Sequence, residues 1–394
     1  MIDLMWAITG GIVAFVLVAQ TVSTAACTPD PPTPTSTPGT PSPPPVASSG
    51  VFTTRDGVRF RVETVATGLE VPWAFAIAPD GRLFITERRG RVRILNSANG
   101  TAELALTIGD VLANEADEAG LMGLALDPEF ATNRFVYLQY TAPSGNRGVN
   151  RIVRYREVGG RLAEGAVLLD NITSAQGHAG GRLRFGPDGL LYATTGDAGV
   201  TTRGQDLGTL AGKILRINRD GTTPRSNPFS SPIYSYGHRN PQGLDWHPTT
   251  GQLWATEHGA TGNDEINFIQ AGFNYGWDRI EGAAIMPGME APVAVFTPAL
   301  APAGASFYRG QQFPQFANDL FVATLRGSRL LRLTIDAGAR RVTTQEPLLD
   351  GAFGRIRDVI LGSDGLLYFS TSNRDSRGNP VATDDRILRL VPAP

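Results

Sequence analysis

The 394-residue sequence predicts an all-β fold, a six-bladed β-propeller of four-stranded antiparallel blades, preceded by a signal or anchor segment and a disordered linker. Three observations carry that expectation: a turn-plus-strand unit that recurs along the chain, a near-constant spacing between its copies, and the scarcity of amphipathic helical periodicity.

The unit joins a turn containing Pro, Asp or Gly to a short run of aromatic and β-branched residues. Its copies are Pro79-Asp80-Gly81 before LFITE, Asp127-Pro128 before FVYLQYT, Pro187-Asp188-Gly189 before LLYATTGD, Pro248 with Gly251 before LWATEHG, and Ser363-Asp364-Gly365 before LLYFSTS. Each reads as a hairpin. Successive copies lie about 50 to 60 residues apart, except for one interval about twice that length. A degenerate copy, Asn318-Asp319 before LFVATL and LLRLTID, fills the gap. A β-sandwich is the alternative, but it seldom needs about 340 residues or keeps such a period.

The propeller is expected over residues 51–394. Ahead of it, Leu4 to Val22 is apolar apart from Thr9, Gln20 and Thr21, and residues 1–27 end in Ser23-Thr24-Ala25-Ala26-Cys27, the outline of a signal peptide. The small residues before Cys27 resemble a lipoprotein cleavage site, although Thr24 stands where leucine is usual and no Lys or Arg precedes the apolar run. Lipid attachment through Cys27, simple secretion and a retained apolar helix all place the domain outside the cytoplasm, periplasmic or extracellular. Residues 28–50 are almost entirely Pro, Thr, Ser, Gly and Ala, which makes them an extended linker.

A formal net charge of −2 with interspersed signs gives no broad basic field, so nucleic acid is not an expected partner. The single cysteine excludes an intramolecular disulfide and a multi-cysteine zinc site.

Of the four histidines, His178 stands out. In Gly177-His178-Ala179-Gly180-Gly181-Arg182 the glycines let the backbone approach a ligand, and an imidazole suits a general base. A histidine bonded inside a turn satisfies the same pattern. Asp197 ends the following strand, and one hairpin brings it back beside His178, where an acid fixes the imidazole tautomer; a turn-capping Asp is the plainer alternative.

The run Gly237-His238-Arg239-Asn240-Pro241-Gln242-Gly243 packs several donors between glycines, and the planar fork of Arg239 suits an anion or developing oxyanion, unless it is simply solvated. Arg355-Ile356-Arg357-Asp358 alternates at strand period, which puts two positive charges on one face. They require an anion, either through the neighbours of Asp358 or from a polycarboxylate ligand. The run from Glu257 to Glu265 is dense in oxygen ligands and glycine, as a hard cation such as calcium prefers, but it lacks EF-hand spacing and reads equally as an acidic surface loop.

Taken in order, VPWAFAIAPDGRLFITER, GLMGLALDPEF, GHAGGRLRFGPDGLLYATTGD, GKILRINRDG, YSYGHRNPQGLDWHP, ATEHGATGNDEINFIQAGFNYGW and GRIRDVILGSDGLLY resemble the soluble aldose sugar dehydrogenase and glucose/sorbosone dehydrogenase family of quinoproteins, from about Val65 to Leu390. The resemblance implies a six-bladed propeller that holds pyrroloquinoline quinone (PQQ) and Ca2+ over its channel. It also implies oxidation of an aldose at its anomeric hydroxyl to a lactone, with electrons passing to an external acceptor that the sequence does not identify.

By the same resemblance His178 is the general base, Asp197 its orienting acid, and Arg239 the residue facing charge on the quinone oxygen. The carbonyls of Gly259 and Ala260 would hold the catalytic calcium, and Glu265 and Tyr275 a second, structural one. Asn240, Arg355 and Arg357 would contact the cofactor. Glu118 and His258 stand in its surroundings where glutamine is expected, and Arg326 where lysine is expected. A carboxylate at Glu118 beside an anionic cofactor has to be protonated, paired or turned away. The rivals are a lactonase-like propeller hydrolase with a carboxylate-held metal and a non-catalytic cell-surface propeller binding sugar or protein. Neither accounts for His178, Arg239 and Arg355 together.

Overall fold

Each blade starts from the recurrent turn. At Asp80, Asp188 and Asp364 one carboxylate oxygen accepts the amide two residues on, from Arg82, Leu190 and Leu366 at 3.1, 3.1 and 3.2 Å. The glycine after each aspartate sits at φ 84°, 73° and 77°, the left-handed region that a residue with a Cβ resists. The second oxygen then reaches across the blade. Tyr192 and Tyr368 donate to Asp188 and Asp364 at 3.0 and 2.8 Å, and arginines of the third strand follow, Arg216 at 3.0 Å and Arg389 at 3.8 Å. One aspartate thus shapes the turn and ties the first hairpin to the next strand.

A computed structural model describes residues 50–96, 101–114, 118–145 and 147–394. Residues 1–27 with Cys27, expected to form the signal segment, and the expected linker up to residue 49 lie outside the described residues. The first blade is Pro72–Ile77, Leu83–Glu87, Arg91–Asn96 and Thr101–Thr107; the second is Leu121–Leu126, Phe135–Ser144, Arg147–Val158 and Arg161–Ser174. Leu183–Phe185, Leu191–Thr195, Lys213–Ile217 and Ile233–Tyr236 form the third, and Pro241–Trp246, Leu253–Glu257, Asp264–Ile269 and Ala294–Phe296 the fourth. The fifth is Pro302–Phe307, Leu320–Thr324, Arg329–Asp336 and Arg341–Leu348. All six turns read from the sequence, including degenerate Asn318-Asp319, join the first strand of a blade to its second.

The sixth blade departs from the four-stranded expectation. Ile356–Leu361, Leu367–Thr371 and Ile387–Pro392 are joined by Arg59–Ala66 from the start of the domain, and the two-residue strand Phe52–Thr53 covers its edge as a fifth. The chain doubles back at Thr54, whose amide and hydroxyl bond with Val58, and so caps an edge that would otherwise present open backbone groups. The innermost strands touch in sequence, and the ring closes where Ile356–Leu361 meets Pro72–Ile77.

Between every pair of neighbouring blades lies one apolar cluster, with Trp73, Phe84 and Leu121 between the first and second and Trp254, Phe307 and Leu331 between the fourth and fifth. Both faces of the inner strands of each blade are therefore largely buried, and this fixes their register. It also gathers two sets of loops at one mouth of the ring: those entering each innermost strand and those leaving each second strand.

Candidate active site

His178 lies in the loop entering Leu183–Phe185, and Asp197 follows Leu191–Thr195, the strand paired with it. Pairing of Leu183 with Ala193 brings the two loops together, and His178 Nδ1 lies 2.7 Å from Asp197 Oδ1. The other ring nitrogen, Nε2, is 2.9 Å from Nη2 of Arg239. A guanidinium only donates, so Nε2 holds the lone pair and Nδ1 carries the proton directed at Asp197. The half-buried imidazole thus presents a basic nitrogen while its acid is fully buried.

Asp197 also accepts the amide of Gly199 and, on Oδ2, the indole N–H of Trp277, each at 2.8 Å. Burial works against its ionisation, yet the hydrogen bond and charge of His178 and the other donors hold its carboxyl below the usual range. His178 itself sits at φ 56°, uncommon outside glycine, with its amide donating to Glu118 Oε2 at 3.0 Å and its carbonyl accepting from Ala198 at 3.3 Å.

Arg239 projects from the loop entering Pro241–Trp246. Its Nη1 donates to the His258 carbonyl at 3.1 Å, and its guanidinium lies 5.4 Å from the centre of the Trp277 ring. The Arg239 and Asn240 amides both donate to Glu257 Oε1. Glu257 Oε2 lies 2.9 Å from His238 Nδ1, and His238 Nε2 lies 2.8 Å from Ser235 Oγ. This has the order of a hydrolytic Ser-His-acid triad. All three residues are buried, however, and His238 is stacked on Tyr275 at 4.8 Å, so the relay meets no substrate. It anchors the backbone that presents Arg239 and Asn240.

Beside these residues opens a cavity of about 390 Å³ whose lining includes Glu118, His258, Arg326, Arg355, Arg357 and Arg377, a size ordinary for a small-molecule site. Its charge is lopsided. Arg355 is already paired with Asp375, its Nε and Nη2 donating to Oδ2 at 2.9 and 2.8 Å. Asp358 is taken by Arg182 at 2.9 Å. Asp358 itself is therefore not the partner of Arg357. Arg357 Nη1 donates to Gln242 Oε1 at 3.4 Å and its guanidinium lies 5.6 Å from the centre of the Trp73 ring, while among the described residues its buried Nε has no partner. Burial, opposed by Asp375 and Glu118 but reinforced by Arg355 and Arg88, pushes its guanidinium down to about 9. Nε2 of His258, buried on the same wall, is also without a partner.

The acid in this wall, Glu118, is paired. Its Oε2 accepts the Asn240 side-chain amide at 2.9 Å as well as the His178 amide. Burial works against the charge, but His258, Asn240, His178 and Arg357 outweigh it and hold the carboxyl below its usual range. Asn240 in turn accepts the amide of Gly180 at 3.1 Å, so one bracket braces the 178–180 turn from both sides.

A smaller adjoining pocket includes Arg239, His258, Gly259, Glu265 and Tyr275. The amides of Gly259 and Ala260 donate to Asp264 and Glu281, so a cation here would meet the carbonyl oxygens of the turn. Burial and the neighbouring Glu257 push Glu265 up to about 8, an acid in want of positive charge. The Tyr275 hydroxyl is committed to Phe268 and Gln270. Among the described residues no group of three or more His, Cys, Asp or Glu side chains is arranged around a metal position.

Glu118, His178, Asp197, Arg239, Asn240, His258, Arg326, Arg355 and Arg357 thus all lie at one mouth of the ring. Sequence reasoning passed over Trp277, Asp375 and the Ser235-His238-Glu257 relay. Their partners come from other loops, where no spacing signals them.

A family model for glucose/sorbosone dehydrogenase matches residues 69–383. Among solved structures, a Thermus thermophilus protein assigned as an oxidoreductase of the glucose dehydrogenase type is 44% identical, covering 84% of this chain and 100% of its own at a TM-score of 0.77. The PQQ-bound form of aldose sugar dehydrogenase from Streptomyces coelicolor is 37% identical, covering 84% of this chain and 98% of that one at a TM-score of 0.76. Aldose sugar dehydrogenase YliI of Escherichia coli K12 is 33% identical over 339 residues, 79% of this chain and 89% of that protein.

Proposed function

The chain belongs to the glucose/sorbosone dehydrogenase family, and from that premise we propose that it is a PQQ-dependent aldose dehydrogenase that converts the anomeric hydroxyl of an aldose to a lactone and passes the electrons to an external acceptor. The observation that carries this reading is the His178 imidazole, its Nδ1 against Asp197 and its Nε2 facing Arg239, beside an arginine-rich cavity.

The residues present fit the cofactor. A tricarboxylate matches the positive excess of Arg326 and Arg357 beside the already paired Arg355, and the unpartnered Nε of Arg357 is a donor awaiting an acceptor. The 259–260 turn would offer backbone oxygens to the catalytic calcium, and Glu265 an acid to the second, structural one. When bound, PQQ supplies a two-electron acceptor for the hydride lost from the anomeric carbon, with calcium as the Lewis acid at its carbonyl.

The protein supplies the proton acceptor. Nε2 of His178 takes the hydroxyl proton as the C–H bond breaks, and Asp197 stays ionised, stabilising the imidazolium through Nδ1–H. Arg239 yields Nε2 to the sugar hydroxyl and keeps its charge beside the reacting oxygen. Glu118 and Asn240 hold the turn that aims the imidazole. Export through residues 1–27, whether followed by attachment through Cys27, release, or retention of the apolar segment, belongs to the same proposal.

In protein reconstituted with PQQ and calcium, His178→Ala is expected to keep the quinone absorbance and to lower kcat with an aldose by roughly 10²- to 10⁴-fold. Near-normal turnover in that variant removes His178 from the role.

A further inference from the structure

Asp197 is held on three sides, and one of its contacts reaches in from another blade. Oδ1 accepts Nδ1–H of His178 at 2.7 Å and the Gly199 amide at 2.8 Å, while Oδ2 accepts the Trp277 indole N–H at 2.8 Å. Trp277 lies in the long segment between Asp264–Ile269 and Ala294–Phe296. Its backbone is fixed at both ends, the amide donating to Gly237 at 2.9 Å and the carbonyl accepting from Gln205 Nε2 at 2.6 Å. The face of the same ring carries the Arg239 guanidinium. One side chain therefore touches both groups that flank the imidazole, the acid behind Nδ1 and the arginine in front of Nε2.

We infer that Trp277 is a positioning residue: its N–H fixes the Asp197 carboxylate in the orientation that accepts from His178 and draws charge from it, and its ring holds Arg239 alongside Nε2. This role rests on the proposed use of His178 as the base.

The direction of its effect follows from hydrogen-bond chemistry. Without the indole donor the carboxylate is more basic and binds the imidazolium more tightly, so His178 takes up its proton at higher pH. Trp277→Phe keeps an aromatic face and removes the donor. It leaves in place the other charged groups around the dyad: Glu118 at the His178 amide, Arg239 at Nε2, Arg203 on the Asp197 carbonyl, Asp278 following Trp277 in the chain and bonded to Thr201, and His258 and Arg357 beyond Glu118.

The test is an NMR titration of the full-length apoprotein labelled in its four histidines, with the His178 signal identified by its loss in His178→Ala. In Trp277→Phe the His178 midpoint is expected to rise by roughly one pH unit, and the acid limb of kcat/KM in PQQ- and calcium-loaded enzyme to rise with it. A midpoint and acid limb within about 0.2 unit of the parent, well inside a one-unit shift of tenfold in proton affinity, would overturn the inference.

Trp277→Leu, which removes the ring as well, is expected to add a loss of kcat that the Phe variant lacks, because Arg239 is then unsupported. Equal kcat in the two variants would remove the ring from the role. The titration needs no cofactor. A raised midpoint in a protein without aldose activity would sink the dehydrogenase reading and leave the positioning of His178 by Trp277 standing.

Discussion

The guanidinium of Arg357 is buried with its Nε unpartnered, and Arg355, the nearest arginine in sequence, has taken Asp375 for itself. A buried charge with poor compensation costs stability, and here it is kept beside a cavity that suits an anion. Arg357→Leu is therefore expected to stabilise the apoprotein by on the order of 1 kcal/mol and to weaken PQQ binding tenfold or more. Urea unfolding and quinone titration check the two halves, and a variant that loses stability instead would mark Arg357 as part of the framework.

At this scale the sequence was informative where chemistry is local. The alternation of Arg355 and Arg357 predicted two arginines on one face, and both line the cavity. It did not predict which of them is already neutralised, because Asp375 arrives from the loop after Leu367–Thr371. Likewise Glu118 was left with three possible fates, and only the approach of Asn240 from two blades away shows that it is paired.

The elements show the same division. The Asp-Gly turns were legible because an aspartate that caps the amide two residues on, followed by a glycine at positive φ, needs no distant partner. The segment between Thr195 and Lys213 was not, since it is organised from beneath by a lysine. Lys213 is buried, and its Nζ donates to the carbonyls of Arg203, Gly204 and Ala211 at 2.7, 3.1 and 2.7 Å. That holds the segment on which Asp197 sits and to which Gly237 bonds through the Gly204 carbonyl.

Burial pushes this ammonium down to about 8, although Asp206 pulls the other way. Between pH 8 and the ordinary lysine value near 10.4 the unfolded chain binds a proton that the folded chain has released, so raising the pH favours folding. Relative to Lys213→Met, the parent is expected to gain about 3 kcal/mol of stability between pH 8 and 10.5. Urea unfolding at the two ends of that range measures it, and a pH-independent difference between the two proteins would contradict it.

The whole molecule explains why a site from so many segments converges. Apolar clusters between successive blades stack the sheets around a ring, and the ring is closed by pairing Arg59–Ala66 with Ile387–Pro392. That pairing left no local trace in the sequence, because neither strand carries a turn or motif pointing to the other. The period of the turns was enough to predict six blades; it did not show which strands complete the last one.

Closure brings loops from every blade to one mouth, where His178, Arg239 and Arg357 meet although they are far apart in the chain. Spacing named those residues singly, and the ordered motifs of the resemblance assigned them to one site.

The central claim is that this mouth is a quinone-dependent sugar oxidation site. Its most direct test is to add PQQ and calcium, singly and together, to purified apoprotein, and to follow quinone absorbance and dye reduction by an aldose. Both signals are expected only when both additions are present. Neither a shifted quinone spectrum nor dye reduction under that condition would contradict it.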